Sequence, residues 1–344
     1  MAREGDGKAG ALPAGKQASL ADVAALAGVS HMTVSRVINE TGPVRAETRA
    51  RVKAAIEQLD YRLNSVARAL VTGRSGTLGV IALEANLYGP ASTLSGIESA
   101  AREAGYATTI TSITRPGRSS ITDAVERLRR QAVEGIIVIA PHVTAARALE
   151  AVPSDVPLVA VGGGDEAPVP VISVDQYDGA RRATEHLLGL GHKTVWHVAG
   201  PEDWLEALER ERGWRETLKI HGAKIPPVIR GDWSARSGYA AGRSLVGKPG
   251  MDAVFMANDQ MALGFLRACT EAGISVPGEI RIVGFDDVPE AAFYTPPLTT
   301  VRQDFVEVGR RTYAMLSDRM SGGERRARDL VIPELIVRES SGIS

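Results

Sequence analysis

A single cysteine among 344 residues, Cys269, excludes an intramolecular disulfide and any cysteine-cluster metal site. It falls in a helical pattern with Leu263 and Leu266, so a buried apolar role is expected. No apolar run approaches membrane-spanning length. The opening stretch "MAREGDGKAGALPAGKQ" holds no apolar core of signal-peptide size. These absences predict a cytoplasmic protein with no membrane partner, no metal and no cofactor. Residues 1–18 are expected to form a disordered tail. Net charge is almost absent too, at −1, so nothing global points to nucleic acid.

The distribution of charge says more than its sum. Residues 1–74 carry 11 Lys/Arg against 7 Asp/Glu, a net +4; the remainder carries 29 against 34, a net −5. Any anion-binding face therefore belongs to the N-terminal part. The length suits two or three domains rather than one.

Three short helical patterns come first. Ser19-Leu20-Ala21-Asp22 has capping-box spacing and starts a helix that Gly28 ends. Ser30 caps the next, with Val34, Val37 and Ile38 on one face, and "TGP" breaks it. A third, Ala46–Leu59, sets Val52, Ala55, Ile56 and Leu59 at i, i+3, i+4, i+7 spacing, although Arg45 stands where a Ser or Asp cap is expected. The first two helices with their Gly28-Val29 turn make a helix-turn-helix.

In that motif the second helix enters the major groove and its N-terminal residues meet base edges. Here these are Ser30, His31, Met32, Ser35 and Arg36. Arg36 suits a bidentate contact to guanine, and His31 and Met32 offer one polar and one apolar contact. Ser30, Thr33 and Asn39 are short donors suited to phosphates. The polarity of "VSHMTVSRVINE" alone fits a solvated helix equally well; the three-helix context and the absence of acid between Ser30 and Asn39 favour a reading head.

After the polar linker "YRLNSVARALVTGRSG", short apolar runs alternate with amphipathic helices from Thr77 to the end. "TLGVIAL", "ATTITSI", "GIIVIAP" and "PLVAVGGG" form one series, and "TVWHVAG", "AVFMAN" and "IRIVGFDD" another. Buried strands alternating with helices predict an α/β fold of parallel sheets, in two doubly wound lobes. Ligands in such folds bind beyond the carboxyl ends of the strands. Asn86–Tyr88, Pro141–His142, Gly162–Asp165, Asn258–Asp259 and Phe285–Asp287 are therefore the residues to inspect.

The stretch from "SLADVAALAGVSHMTVSRVINETGPVRAETR" to "NSVARAL" resembles the headpiece and hinge of the LacI/GalR family of transcription regulators. The likeness continues through "LLGLGHKTVWHVAG", "RGDWSARSGY", "ANDQMALG", "IVGFDD" and "PPLTTVRQDF", covering essentially everything after Ser19. It implies a helix-turn-helix headpiece (19–62), a hinge helix and linker (63–75), and a periplasmic-binding-protein-like effector and dimerisation core (76–344). The N-lobe would span about 76–174 and 304–332, and the C-lobe about 175–303 and 333–341. A homodimer on double-stranded, pseudo-palindromic operator DNA is implied, with Leu70 of each hinge helix wedged into the minor groove.

For the core the resemblance implies that Arg210 of "LERERGW" and Asn258 and Asp286 hold sugar hydroxyls, that Trp233 stacks on the ring, and that Gln303 and Phe305 close the cleft floor. Asn86, Leu87 and Tyr88 line it from the N-lobe. The chemistry agrees, since vicinal hydroxyls suit carboxylates and guanidinium and C–H faces pack on aromatics.

This sequence departs from the family's best-known member in three places. Gly162 stands where that member has an acidic sugar contact, "EANLYGPAS" adds Glu84, Asn86 and Tyr88, and His31-Met32 replaces its base-reading pair. A sugar or glycoside effector is expected, with a different operator. The chain ends just past "IPELIVRESS" with no heptad tail, which favours a dimer over a coiled-coil tetramer. The alternatives are a corepressor-dependent, purine-type regulator, and a transported-solute binding protein, which needs a signal peptide and no headpiece. An enzyme is not expected: His186, His192 and His197 have no carboxylate or nucleophile at usable spacing, and "VGGGDE" runs into "APVPV" rather than a helix.

Overall fold

The computed structural model describes residues 18–39, 42–61, 74–114, 117–153, 155–162, 168–323 and 328–342. The chain divides into two compact units, Met1–Arg74 and Ser75–Ser344.

The first unit holds α1 (Leu20–Ala27), α2 (His31–Asn39) and α3 (Ala46–Gln58). Ser19 and Asp22 form a reciprocal capping box at α1, with each backbone N–H donating to the other's side chain, at 2.8 Å to the Asp22 carboxylate and 3.3 Å to Ser19 Oγ. Gly28 takes φ 64° and closes the helix. Arg45 makes no side-chain cap for α3, as its residue type foretold. Val23, Ala24, Ala27, Val34, Val37, Val52 and Ala55 form a small core, bordered by Leu20, Val29, Ile38, Ile56 and Leu59.

The second unit is built on two six-stranded sheets. The first runs in the order β11 (Arg328–Val331), β5 (Val171–Val174), β4 (Leu158–Val161), β3 (Gly135–Ile139), β1 (Thr77–Leu83), β2 (Ala107–Ile113), all parallel. The second runs β12 (Glu334–Ile336), β10 (Thr299–Arg302), β9 (Arg281–Asp286), β8 (Ala253–Met256), β6 (Trp196–Ala199), β7 (Ile229–Arg230). Only β12 against β10 is antiparallel among the described strands.

Helices cover both faces of each sheet, so the inner strands are apolar on both sides. Along β1, Ile81 and Leu83 enter one core with Ile121, Val125 and Leu128 of α5 (Arg118–Arg130). Leu78, Val80 and Ala82 enter the opposite core with Ile97 of α4 (Tyr88–Glu103) and Val308, Met315 and Leu316 of α11 (Phe305–Met320). In the second lobe, α9 (Ala235–Leu245) and α10 (Asp259–Glu271) cover one face; α7 (Gln176–Gly189) and α8 (Leu205–Ile220) cover the other. The short α6 (Val143–Ala148) follows β3. Each fully buried Ile, Val or Leu contributes on the order of 1.5–3 kcal/mol.

The chain crosses between lobes three times: from β5 to α7, from β10 to α11, and from β11 to β12. Among the described residues no helix is long and apolar enough to cross a membrane, and no group of three or more His, Cys, Asp and Glu side chains is placed to hold a metal. Cys269 is buried in the second lobe, where desolvation pushes its thiol up to about 11.

Candidate functional site

Two surfaces collect the polar side chains singled out in the sequence. On α2, Val34 and Val37 turn inward, which leaves Ser30, His31, Met32 and Arg36 exposed and Thr33 and Ser35 half-buried. Ser30 begins the helix: the Thr33 backbone N–H donates to Ser30 Oγ at 3.2 Å, and the two hydroxyls lie 2.9 Å apart. No acid occupies the first turn, so the positive helix end is left for an anion. Met32 is 66% exposed, a large apolar side chain held in water within a well-formed helix. Arg36 makes no hydrogen bond or ion pair among the described residues, so its five donors are uncommitted. Asn39 is the last residue of α2. Leu70 lies outside the described residues.

The second surface is a cleft between the two lobes, about 530 Å³ including its mouth. Asn86, Leu87, Tyr88, Arg210, Trp233, Asn258, Asp286 and Gln303 all line it. The N-lobe residues lie at the turn from β1 into α4; the others follow β9, β8 and β10 or sit on α8 and the loop before α9. Phe305 differs: it stands behind Tyr88, edge to face at 5.8 Å, and supports the wall rather than forming the floor.

The floor is a chain of three hydrogen bonds whose two ends come close together. Arg210 Nε donates to Gln176 Oε1 at 2.8 Å, Gln176 Nε2 donates to Gln303 Oε1 at 2.8 Å, and Gln303 Nε2 donates to Asp286 Oδ1 at 2.6 Å. The same carboxylate oxygen lies 3.6 Å from Arg210 Nη2. Arg210 is 2% exposed; Nη1 donates to the Ala257 carbonyl and the guanidinium lies over the Phe285 ring at 3.8 Å. A buried guanidinium is held this way only when its donors are met. Burial pushes the Asp286 carboxyl up to about 7; the Arg210 charge opposes that rise and Glu206 adds to it.

Trp233 forms the aromatic wall, edge to face with Trp204 at 5.4 Å. Its φ of 71° and the 112° of Asp286 are left-handed values that non-glycine residues seldom adopt. Gly200 lies beneath its ring, where a Cβ would overlap the indole atoms. Asn258 does double duty. Its Oδ1 accepts from Met261 N at 2.9 Å and so caps α10, while Nδ2 donates to the Trp233 carbonyl and to Gln260. Helix capping and cleft lining thus hold together at one residue.

Sequence reasoning missed Gln176, Trp204, Glu206 and Gln260. Gln176 is the first residue of α7; Glu206 is the second of α8, one turn before Arg210. The lobes also touch beside the cleft through a small antiparallel bridge. Val143 N donates to the Asp203 carbonyl at 3.0 Å and Leu205 N to the Pro141 carbonyl at 2.9 Å, with the His142 ring against Trp204 at 4.8 Å. None of the three histidines weighed in the sequence lines the cleft. His197 is stacked on Phe255, and burial lowers it to about 4, so it is neutral core. His186 meets Ser341 at 2.8 Å, and His192 meets Asp252 at 3.1 Å.

A family model described as bacterial regulatory proteins, lacI family, matches residues 19–64, and one for a periplasmic binding protein-like domain matches 184–341. The lactose operon repressor of Escherichia coli (strain K12) is 36% identical over 330 residues, covering 95% of this chain and 91% of that protein. The chain belongs to the lacI family. As a lacI-family protein it is a DNA-binding transcription regulator, with its helix-turn-helix in the matched 19–64. The transcriptional regulator CelR of Thermobifida fusca is 36% identical over 341 residues, 94% of this chain and 98% of that one. The repressor PurR of Haemophilus influenzae (strain PittEE) is 32% identical over 331 residues, 94% and 98%. Among solved structures, the Lac repressor dimer bound to operator and the anti-inducer ONPF superposes with a TM-score of 0.86 at 35% identity, covering 95% of this chain and 99% of that one. A CelR–cellobiose complex gives 0.67 at 33% identity, covering 94% and 99%.

Proposed function

We propose that this lacI-family regulator is a repressor of carbohydrate-utilisation genes, released from its operator by a sugar or glycoside bound between the lobes. The observation that carries the reading is the Arg210–Gln176–Gln303–Asp286 hydrogen-bond chain beside Trp233. It offers fixed donors and acceptors next to an apolar ring face, the pairing that a saccharide presents. Relatives named for lactose and cellobiose support a saccharide. In this reading Arg210, Asn258, Asp286 and Gln303 meet hydroxyls, Trp233 packs on the ring, and Asn86, Leu87 and Tyr88, backed by Phe305, close the N-lobe side.

The DNA-reading roles follow the exposure pattern of α2. Arg36, His31, Met32 and Ser35 face bases, Ser30, Thr33 and Asn39 face phosphates, and Leu70 is the minor-groove wedge. The protein acts in the cytoplasm as a homodimer on a pseudo-palindromic site. Its work is linkage. DNA and effector favour different lobe arrangements, so each lowers the affinity of the protein for the other by the same factor.

The test is operator affinity by fluorescence anisotropy across a panel of glycosides and purines. Release by a saccharide supports the reading. If no small molecule changes affinity, effector gating is wrong; tightening by a purine makes the protein a corepressor-dependent regulator instead.

A further inference from the structure

We propose that Glu206 is a specificity-determining residue of the effector cleft, selecting uncharged saccharides and rejecting sugar acids and sugar phosphates. The proposal rests on the saccharide reading above and deepens it.

Glu206 lies in the first turn of α8 and lines the cleft. Its carboxylate receives no hydrogen bond from any described residue; the nearest cation is Arg210 Nη2, 3.9 Å from Oε2. Every other charged group of the floor is engaged, Asp286 by Gln303 and Arg210 by Gln176 and the Ala257 carbonyl. Glu206 is thus the carboxylate with open acceptor positions. Partial burial without donors raises its protonation point above the usual carboxylate range, opposed by Arg210 and His142, which marks an acceptor that lacks the partners water gave it.

Gly162, at the end of β4, makes the room. With φ 67° it is a position where a side chain is strained, and a Cβ there would come within 3.7 Å of Glu206 Oε1. The glycine itself brings no side chain toward Glu206 Oε1.

The arrangement has a chemical preference. Arg210 Nη2 lies between two carboxylates, 3.6 Å from Asp286 and 3.9 Å from Glu206, both beyond hydrogen-bond length. Hydroxyl groups entering on either side can accept from the guanidinium while donating to a carboxylate, so a polyol satisfies both gaps at once. Two carboxylates against one guanidinium leave the ionised cleft with a net negative charge. A ligand carboxylate or phosphate has no donor to offer Glu206 and is repelled at close range in a poorly screened site.

The experiment is isothermal titration of the full-length protein, wild type, Glu206→Gln and Glu206→Asp. The probes are lactose, cellobiose, methyl glucoside and methyl galactoside, with glucuronic acid, galacturonic acid and the hexose 6-phosphates as charged counterparts. Wild type is expected to prefer a neutral sugar over its charged counterpart by at least a hundredfold. Glu206→Gln should weaken the neutral sugar about tenfold and narrow that ratio at least tenfold. Glu206→Asp, which keeps the charge on a shorter stem, should weaken the sugar yet retain the ratio. An unchanged affinity and ratio in Glu206→Gln, or an equally narrowed ratio in Glu206→Asp, overturns the proposal while leaving the saccharide reading intact. Failure of every sugar on wild type overturns both.

Discussion

The two polar surfaces of this protein are built on opposite plans. On α2, His31, Met32 and Arg36 are exposed; Arg36 has no partner among the described residues and Met32 lies in water. In the cleft Arg210, Gln176, Gln303 and Asp286 are buried and bonded to one another before any ligand arrives. A surface that adapts to a groove several bases long can leave its donors loose, because water serves them meanwhile. A cleft that excludes water must satisfy its donors internally, and in doing so becomes rigid and selective. Stability and recognition are therefore separable on α2 and inseparable in the cleft.

Arg210→Ala breaks the comparison most severely. Removing one member of a buried charge pair costs about 3–5 kcal/mol, because Asp286 and Gln176 lose their partner out of reach of water. The expected result is a thermal unfolding midpoint several degrees lower together with loss of saccharide binding by titration. Normal stability with lost binding would show that the hydrogen-bond chain is softer than its geometry.

Arg36→Ala tests the other plan. Stability should move by no more than about 0.5 kcal/mol, as for an ordinary surface position. Operator binding should lose about 1–3 kcal/mol while random-duplex binding loses far less. Equal loss on both duplexes, measured by anisotropy at fixed salt, would demote Arg36 to a phosphate contact.

The smallest effect is one of pH. The Asp286 carboxyl titrates at about 7 in the fold, against about 3.9 in an unfolded chain. A raised folded value means that its stabilising contribution is complete below about pH 4 and is lost as pH rises through 7. The ligand-free wild type should therefore lose stability relative to Asp286→Asn between pH 5 and 7. Saccharide hydroxyls donate to the ionised form, so affinity should tighten over the same interval, by at most about tenfold per unit. Affinity that is flat with pH in titrations at 5, 6, 7 and 8 would mean that Asp286 stays ionised in the empty cleft.

How much of this was legible in the sequence follows the range of the interactions. The headpiece helices could be read to within a residue, since capping pairs and i, i+3, i+4 spacing are local. β1, β3, β4, β8 and β9 were legible because both faces are buried. β7, at two residues, and β12, at three, are too short to carry a pattern, and β11 completes the first sheet from a distant part of the chain. Among cleft residues, the strand-end rule pointed to Asn86–Tyr88, Asn258 and Asp286, and family likeness added Arg210, Trp233 and Gln303. Glu206 lies just before "LERERGW", in a charged helical run where nothing in the spacing marks it from its neighbours. Only the approach of β4 and of Arg210 shows that one of those charges faces inward.

Gln176 follows the first crossing of the chain between lobes, and Gln303 lies on the second. In the proposed linkage, where the lobes change their arrangement, the hydrogen bond between their side chains sits at the pivot. At an axle a rotation produces its smallest displacement, so a ligand resting there need shift atoms only slightly. The outer ends of the lobes, as the far ends of two levers, travel furthest for that same turn.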